Sequence, residues 1–221
     1  DANLIEVVVK YNLNNIDSSN KLTYSINSKG VLNVKNEFIY GGKLNDAQMP
    51  RFGMNFTMPK EYNNVIWYGR GPHENYSDRK SSAFVGLYNN LVEDLDFEYS
   101  RPQENGYRTD VRWLKVLNKN NVGFEIIGEP LVSFSAHYNT IEDFDDGLSP
   151  KKPGENVGAR KRIVKKQRKP IDVPKRDFIS LNIDLKQMGV GGDNSWGART
   201  LKKYTIEPGN YTYSYIIRPV N

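Results

Sequence analysis

The stretch Tyr211-Thr212-Tyr213-Ser214-Tyr215-Ile216-Ile217 sets a large apolar or aromatic side chain at every second position: Tyr211, Tyr213, Tyr215 and Ile217. Successive side chains of an extended chain point to opposite faces, so this alternation gives one face to a core and one to water. Phe52, Met54, Phe56 and Met58 repeat it. Leu32, Val34, Phe38 and Tyr40 alternate around Asn33, Lys35 and Glu37, after a Ser28-Lys29-Gly30 turn that closes a hairpin with Leu22–Ile26. Val122–Ile127, Val132–Tyr138 and Ile179–Leu185 follow the same rule. About a dozen short strands punctuated by Gly and Pro predict an all-β sandwich or barrel. Helix signals are nearly absent: only Thr140-Ile141-Glu142-Asp143, a capping-box-like start, predicts one short helix ending at Gly147. There is no repeat of fixed period and no boundary between strand groups, so residues 1–221 read as one domain.

The 221 residues suffice for a domain with a substantial core. They include no cysteine, which excludes a disulfide scaffold, a thiolate zinc site and a cysteine nucleophile, and leaves the redox compartment open. No run approaches the roughly 20 apolar residues of a membrane span, and Asp1-Ala2-Asn3-Leu4 lacks the order of a signal peptide, so no membrane partner is expected. The net charge of +5 is unevenly spread. Eleven Lys and Arg residues fall between Ser149 and Arg176 against Glu155 and Asp172, so this stretch carries +9 and the rest of the chain −4. It holds Pro150, Pro153, Pro170 and Pro174 but no aromatic residue, and residues 149–176 are therefore expected to form a flexible, extended basic insertion. Arg160-Lys161-Arg162 suits phosphates, but without interleaved aromatics for base stacking no nucleic-acid partner is expected.

Candidate chemistry is sparse. His73 lies in Gly69-Arg70-Gly71-Pro72-His73-Glu74-Asn75-Tyr76, and His137 lies on the strand Val132–Tyr138. Either could join Glu74 or Glu104 in proton transfer on a sugar ring, as in an aldose epimerase; the more economical reading is histidines held by hydrogen bonds. A glycosidase needs two carboxylates roughly 5–9.5 Å apart. Glu74 and Glu104 occupy similar turns, and each reads better as an acceptor for backbone N–H groups or a partner for Arg70, Arg79, Arg108 or Arg112. Glu142-Asp143-Phe144-Asp145-Asp146-Gly147 fails as a calcium loop because Phe144 occupies a ligand position. Asn55, Asn75 and Asn210 stand in Asn-x-Ser/Thr triplets at a frequency chance explains. The most informative stretch is Met188-Gly189-Val190-Gly191-Gly192-Asp193-Asn194-Ser195-Trp196-Gly197. Its glycines permit a tight turn that presents Trp196, and an indole suits the C–H face of a sugar while short polar groups meet its hydroxyls. The competing reading makes Trp196 a cap on the core, like Trp67 and Trp113.

Four ordered motifs resolve the choice. Pro50-Arg51-Phe52-Gly53-Met54, Trp67-Tyr68-Gly69-Arg70-Gly71-Pro72-His73-Glu74-Asn75-Tyr76-Ser77-Asp78-Arg79, Pro102-Gln103-Glu104-Asn105-Gly106-Tyr107-Arg108-Thr109-Asp110-Val111-Arg112-Trp113 and Gly189-Val190-Gly191-Gly192-Asp193-Asn194-Ser195-Trp196 together resemble the C-terminal domain, or small chain, of the β-galactosidases of glycoside hydrolase family two. The resemblance implies an antiparallel supersandwich related to the galactose-mutarotase fold. It implies retaining hydrolysis of β-galactosides by the whole enzyme, with both catalytic glutamates in a separate TIM-barrel domain, so this chain alone is expected to be inactive. Trp196 then corresponds to a tryptophan that stacks on the sugar, with Asp193, Asn194 and Ser195 as its scaffold, and the other three motifs serve folding and interdomain packing. The family's magnesium and sodium ions belong to the barrel, so no cofactor is assigned to this chain. The expected partners are the barrel domain, a β-galactoside and further copies in a homo-oligomer, in a cytoplasmic or periplasmic enzyme. Two departures stand out. No counterpart of the family's front portion precedes Asp1, which predicts that the domain's first strands are missing, and the basic insertion exceeds what relatives usually carry.

Overall fold

A computed structural model of the chain describes residues 3–42, 49–148, 165–167, 169–192, 194 and 198–221. In chain order the strands are β1 (Leu4–Leu13), β2 (Ser18–Asn27), β3 (Leu32–Ile39), β4 (Arg51–Pro59), β5 (Asn64–Gly71), β6 (Phe84–Leu91), β7 (Arg108–Leu117), β8 (Gly123–His137), β9 (Asp145–Leu148), β10 (Lys165–Gln167), β11 (Phe178–Gln187) and β12 (Tyr211–Val220). One helical turn, α1 (Val92–Leu95), follows β6. Every described pairing is antiparallel, so the expected all-β antiparallel class holds.

The long strand β8 organises the sheet. Along one edge it pairs with β7. Along the other it pairs first with β12, from Gly123 opposite Val220 to Glu129 opposite Ser214, and then with β11, from Ser133 opposite Asp184 to His137 opposite Ser180. Proline has no amide hydrogen to give a ladder, and Pro130 stands at this handover, where the register to β7 also shifts. Alternation around Pro130 suggested two strands; they form one. From β12 the sheet continues through β3 and β2 to β1, from β11 to β4, and from β7 through β5 to β6. The β2–β3 hairpin has the expected turn: Gly30 takes φ +73°, and Asn27 Oδ1 accepts the amides of Lys29 (2.9 Å) and Val31 (3.1 Å).

Ring contacts show two facing layers. Phe52 on β4 packs 5.9 Å from Phe38 on β3 and 5.6 Å, edge-on, from Tyr213 on β12, although β4 shares no ladder with either strand. The Tyr213 hydroxyl crosses the core to donate to the Ile183 carbonyl at 2.8 Å. Thus the alternating tyrosines of β12 bury their rings while each buried hydroxyl finds an acceptor. The outermost strands lie more open: Ile5, Val7 and Val8 of β1, and Phe84 and Leu87 of β6, are exposed.

The structure corrects two local expectations. The helix from Thr140 stops after one 3₁₀ turn (Ile141–Phe144) and β9 follows at Asp145. The cap itself forms, with the Thr140 amide donating to Asp143 Oδ2 at 2.9 Å, but Arg176 Nε also donates to that oxygen (3.1 Å), tying the turn to the far side of the basic stretch. Trp113 is only half-buried, lying 6.4 Å from Tyr68, whereas Trp67 is fully buried. Of the basic insertion, residues 149–164 and 168 lie outside the described residues; β10, within it, pairs with β9. No described helix is long and apolar enough to cross a membrane.

Trp67 packs edge-on at 5.7 Å against Phe134 and donates from Nε1 to the Arg70 carbonyl at 3.0 Å. Its replacement, Trp67→Ala, opens a cavity at the centre of the β5–β7–β8 packing and costs about 3–5 kcal/mol in urea unfolding; a loss below about 1 kcal/mol would show that the core does not depend on it.

Candidate functional site

The first three motifs are interlocked by polar groups that have little access to water. Gly106 adopts φ +71°, and a Cβ there would meet His137 Cε1 and the Leu95 carbonyl at 2.7 Å, so glycine lets the loop before β7 settle against β8 and α1. Glu74 Oε2 accepts the Gly106 amide at 2.8 Å, and its Oε1 accepts the Tyr99 hydroxyl. Asn75 is fully buried: its amide donates to the Tyr107 carbonyl (2.7 Å), and its Oδ1 accepts both the amide (3.0 Å) and hydroxyl (2.6 Å) of Thr109. Arg108 donates to the carbonyls of Gly106 (2.7 Å), Pro72 (3.0 Å) and Leu95 (3.3 Å), and burial brings its pKa down to about 10.

Arg51 joins the first motif to the third. Its Nη2 lies 2.8 Å from Glu104 Oε1, its Nε lies 3.2 Å from Asp184 Oδ2 on β11, and Nε also donates to Gln187 at 3.0 Å. Glu104 therefore pairs with Arg51, outside the set Arg70, Arg79, Arg108 and Arg112 that the sequence suggested. Gly53 faces Asp184 across the β4–β11 ladder, where a Cβ would lie 1.8 Å from Asp184 Oδ1; the Arg-Phe-Gly sequence supplies both the cation and the space for its carboxylate. Burial works against the Arg51 charge, and Asp184 and then Glu104 more than reverse it, raising its pKa. Burial lifts Glu104 as well, with Arg51 pulling it back, and pushes Asp184, fully buried, up to about 7.

The histidine–carboxylate pairs considered for proton transfer are engaged in holding the fold. His137 Nε2 faces the Asn105 carbonyl at 3.0 Å and so carries hydrogen, while Nδ1 lies 3.3 Å from Asp96, whose carboxyl this contact holds below the usual range. His73 is exposed, with Nε2 3.0 Å from Ser82 Oγ. Among the described residues no three His, Asp or Glu side chains gather as a metal-binding group.

The fourth motif leaves β11 as a pinned stem. Met188 donates to the Pro50 carbonyl (2.9 Å) and Gly189 to that of Tyr204 (2.8 Å); Gly191 and Gly192 take φ +63° and +85°. Asp193, Ser195 and Trp196 lie outside the described residues. Asn194 is exposed, and its Oδ1 accepts the Ala198 amide at 3.3 Å. Beside the stem, a cleft of about 840 Å³ is lined by Tyr76, Asp78, Arg79, Phe97, Tyr99 and Arg108 among others. Sequence reasoning passed over Phe97 and Tyr99, which stand in an irregular segment with no period to read, and left Asp78 without a role of its own.

The raised Asp184 pKa makes stability depend on pH. Between about pH 4 and 7 the folded chain keeps a proton on Asp184 that the unfolded chain has released, so rising pH works against folding. From about pH 4.5 to 7.5 the parent therefore loses stability relative to Asp184→Asn in urea unfolding; a difference that does not vary with pH would contradict the assignment.

The β-galactosidase small chain family matches residues 1–217. The chain is 33% identical over 220 residues to a β-galactosidase of Priestia megaterium, covering 99% of this chain and 19% of that protein. It is 32% identical over 191 residues to one of Halalkalibacterium halodurans, covering 85% and 17%. The chain thus spans less than a fifth of the length of these curated relatives. Among solved structures, an aldose epimerase homologue from C. elegans aligns with all of this chain and 66% of its own at 8% identity, with a TM-score of 0.41. With all but its last few residues matched by the family, the chain belongs to the β-galactosidase small chain family.

Proposed function

We propose that this chain is the sugar-facing, non-catalytic domain of a β-galactosidase, and that it contributes Trp196 to one wall of the substrate site. In this reading the nucleophilic and acid/base glutamates stand on a barrel domain elsewhere in the protein, where a galactosyl-enzyme forms and is hydrolysed with retention. The domain's part is to bury the apolar face of galactose under an indole, to exclude water on that side and to hold the ring where the glutamates can act. Asp193, Asn194 and Ser195 shape the turn that aims the indole. Magnesium and sodium belong with the barrel, and the exposed apolar side chains of β1 and β6 support packing against that domain and against further subunits.

The observation that carries this reading is the anchoring of the glycine-rich stem: two successive glycines at positive φ leave the fold from positions fixed by Pro50, Tyr204 and Asp78, and the next residues lead to Trp196. Such a fixed stem suits a side chain that must meet a ligand at a set place. In the full-length enzyme, Trp196→Ala raises KM for a nitrophenyl β-galactoside about 10- to 100-fold, the equivalent of roughly 1.4–2.8 kcal/mol, with a smaller change in kcat. An unchanged KM would remove Trp196 from the substrate site.

A further inference from the structure

The turn at residues 76–79 is closed from both sides, the Arg79 amide donating to the Tyr76 carbonyl at 2.9 Å and the Tyr76 amide to the Arg79 carbonyl at 3.2 Å. It rests on the core. Tyr76 is buried and stacked on Tyr107 with ring centroids 5.6 Å apart and planes 11° from parallel, and the Arg79 guanidinium lies 5.4 Å from the Tyr76 ring centre. The side chain at the tip of this turn, Asp78, is thereby held at a defined place. Its Oδ1 accepts the Val190 amide at 3.1 Å, and its Oδ2 accepts the Gly191 amide at 2.8 Å and the Thr200 hydroxyl at 3.2 Å.

These donors belong to opposite arms of one loop. Val190 and Gly191 lie on the arm leaving β11, Thr200 lies on the returning arm, and Trp196 stands between them in sequence. The two arms are close: a Cβ on Gly191 would sit 3.1 Å from both the Ala198 carbonyl and the Thr200 amide. A Cβ on Gly189 would lie 2.5 Å from both Asp78 Cγ and Thr200 Oγ1, so glycine is what admits the carboxylate. Two successive N–H groups turned toward one carboxylate form charge-assisted hydrogen bonds, stronger than neutral ones.

We propose that Asp78 is a positioning residue for sugar binding: its carboxylate fastens the two arms of the Trp196 loop together and transmits the rigid placement of the Tyr76–Tyr107 stack to the indole. The proposal rests on the reading of Trp196 as a sugar-stacking residue. It gives the second motif a task beyond folding.

The test uses the full-length enzyme with Asp78→Ala, Thr200→Val, Trp196→Ala and the double variant Asp78→Ala/Trp196→Ala, read by steady-state kinetics on a nitrophenyl β-galactoside and by hydrogen exchange. Asp78→Ala is expected to raise KM about tenfold while kcat changes less than about threefold, and Thr200→Val, which removes one bond and leaves the carboxylate, about two- to threefold. The double variant is expected to match Trp196→Ala, because a residue that acts through the indole has nothing left to move. In Asp78→Ala the amides of Val190 and Gly191 exchange faster while that of Leu181 on β11 does not. Asp78 has no such role if KM is raised by Trp196→Ala but by neither Asp78→Ala nor Thr200→Val, if the effects of Asp78→Ala and Trp196→Ala multiply, or if the two loop amides keep their exchange rates. Accelerated exchange in Asp78→Ala together with an unchanged KM in Trp196→Ala would leave the fastening in place and overturn the sugar-stacking reading beneath the proposal. Should Asp78→Ala fail to fold, Thr200→Val alone decides: a KM equal to the parent's overturns the proposal.

Discussion

A guanidinium largely withdrawn from water must have carboxylates within reach, and that requirement ties this domain together. Arg51 begins β4, Asp184 sits near the end of β11, and Glu104 lies in the loop before β7. Leaving such a charge unpaired in the interior costs several kcal/mol, so any arrangement that separates the three segments is penalised at once. One cation faces two acids, and burial, which Arg51 offsets only in part, raises the proton affinity of Asp184 and Glu104. Gly53 gives Asp184 its room. Two of the four sequence motifs thereby acquire a common origin: the first supplies Arg51 and Gly53, and the third supplies Glu104 and Tyr107, whose ring centre lies 5.5 Å from the Arg51 guanidinium.

The remaining connections follow from that assembly. Asn75 and Glu74 fasten the second motif to the third through backbone groups of Tyr107, Thr109 and Gly106. The turn at 76–79 then projects Asp78 toward the glycine-rich stem, and Met188, the first residue of that stem, bonds to Pro50 beside Arg51. The anchoring therefore extends from the interior to the stem of a loop whose proposed task is to meet a sugar. On the proposed reading, a domain whose partner carries the catalytic carboxylates can still raise enzymatic efficiency in this way, because placing a ring correctly lowers the barrier that the acting groups must overcome.

The strands were legible because their side chains obey the period of two: each alternating run, from Leu22–Ile26 to Tyr211–Ile217, falls in a strand to within one residue at its ends, and the Ser28-Lys29-Gly30 turn closes its hairpin. What escaped depended on partners distant in sequence. The cap at Thr140 was readable, but its helix ends early where Arg176, far along the chain, shares Asp143. Joining two apolar runs into β8 required knowing that β12 gives way to β11 beside Pro130. α1 is a single turn, too short to carry a period. At the site, the glycine-rich stretch announced itself through composition, and Glu74 was correctly read as a backbone acceptor. The pairing of Arg51 with Glu104 and the reach of Asp78 to Gly191 span 53 and 113 positions, and no local pattern encodes them.

Everything proposed for this domain turns on whether the pinned loop brings the Trp196 indole against the sugar. A crystal structure of the full-length enzyme with a bound galactoside analogue answers it through the separation between the indole plane and the sugar ring. The expected result is an indole within about 4 Å of the ring's C–H face, with Asp78 still bridging Gly191 and Thr200. An indole folded into the interior of this domain and out of contact with the sugar would contradict it.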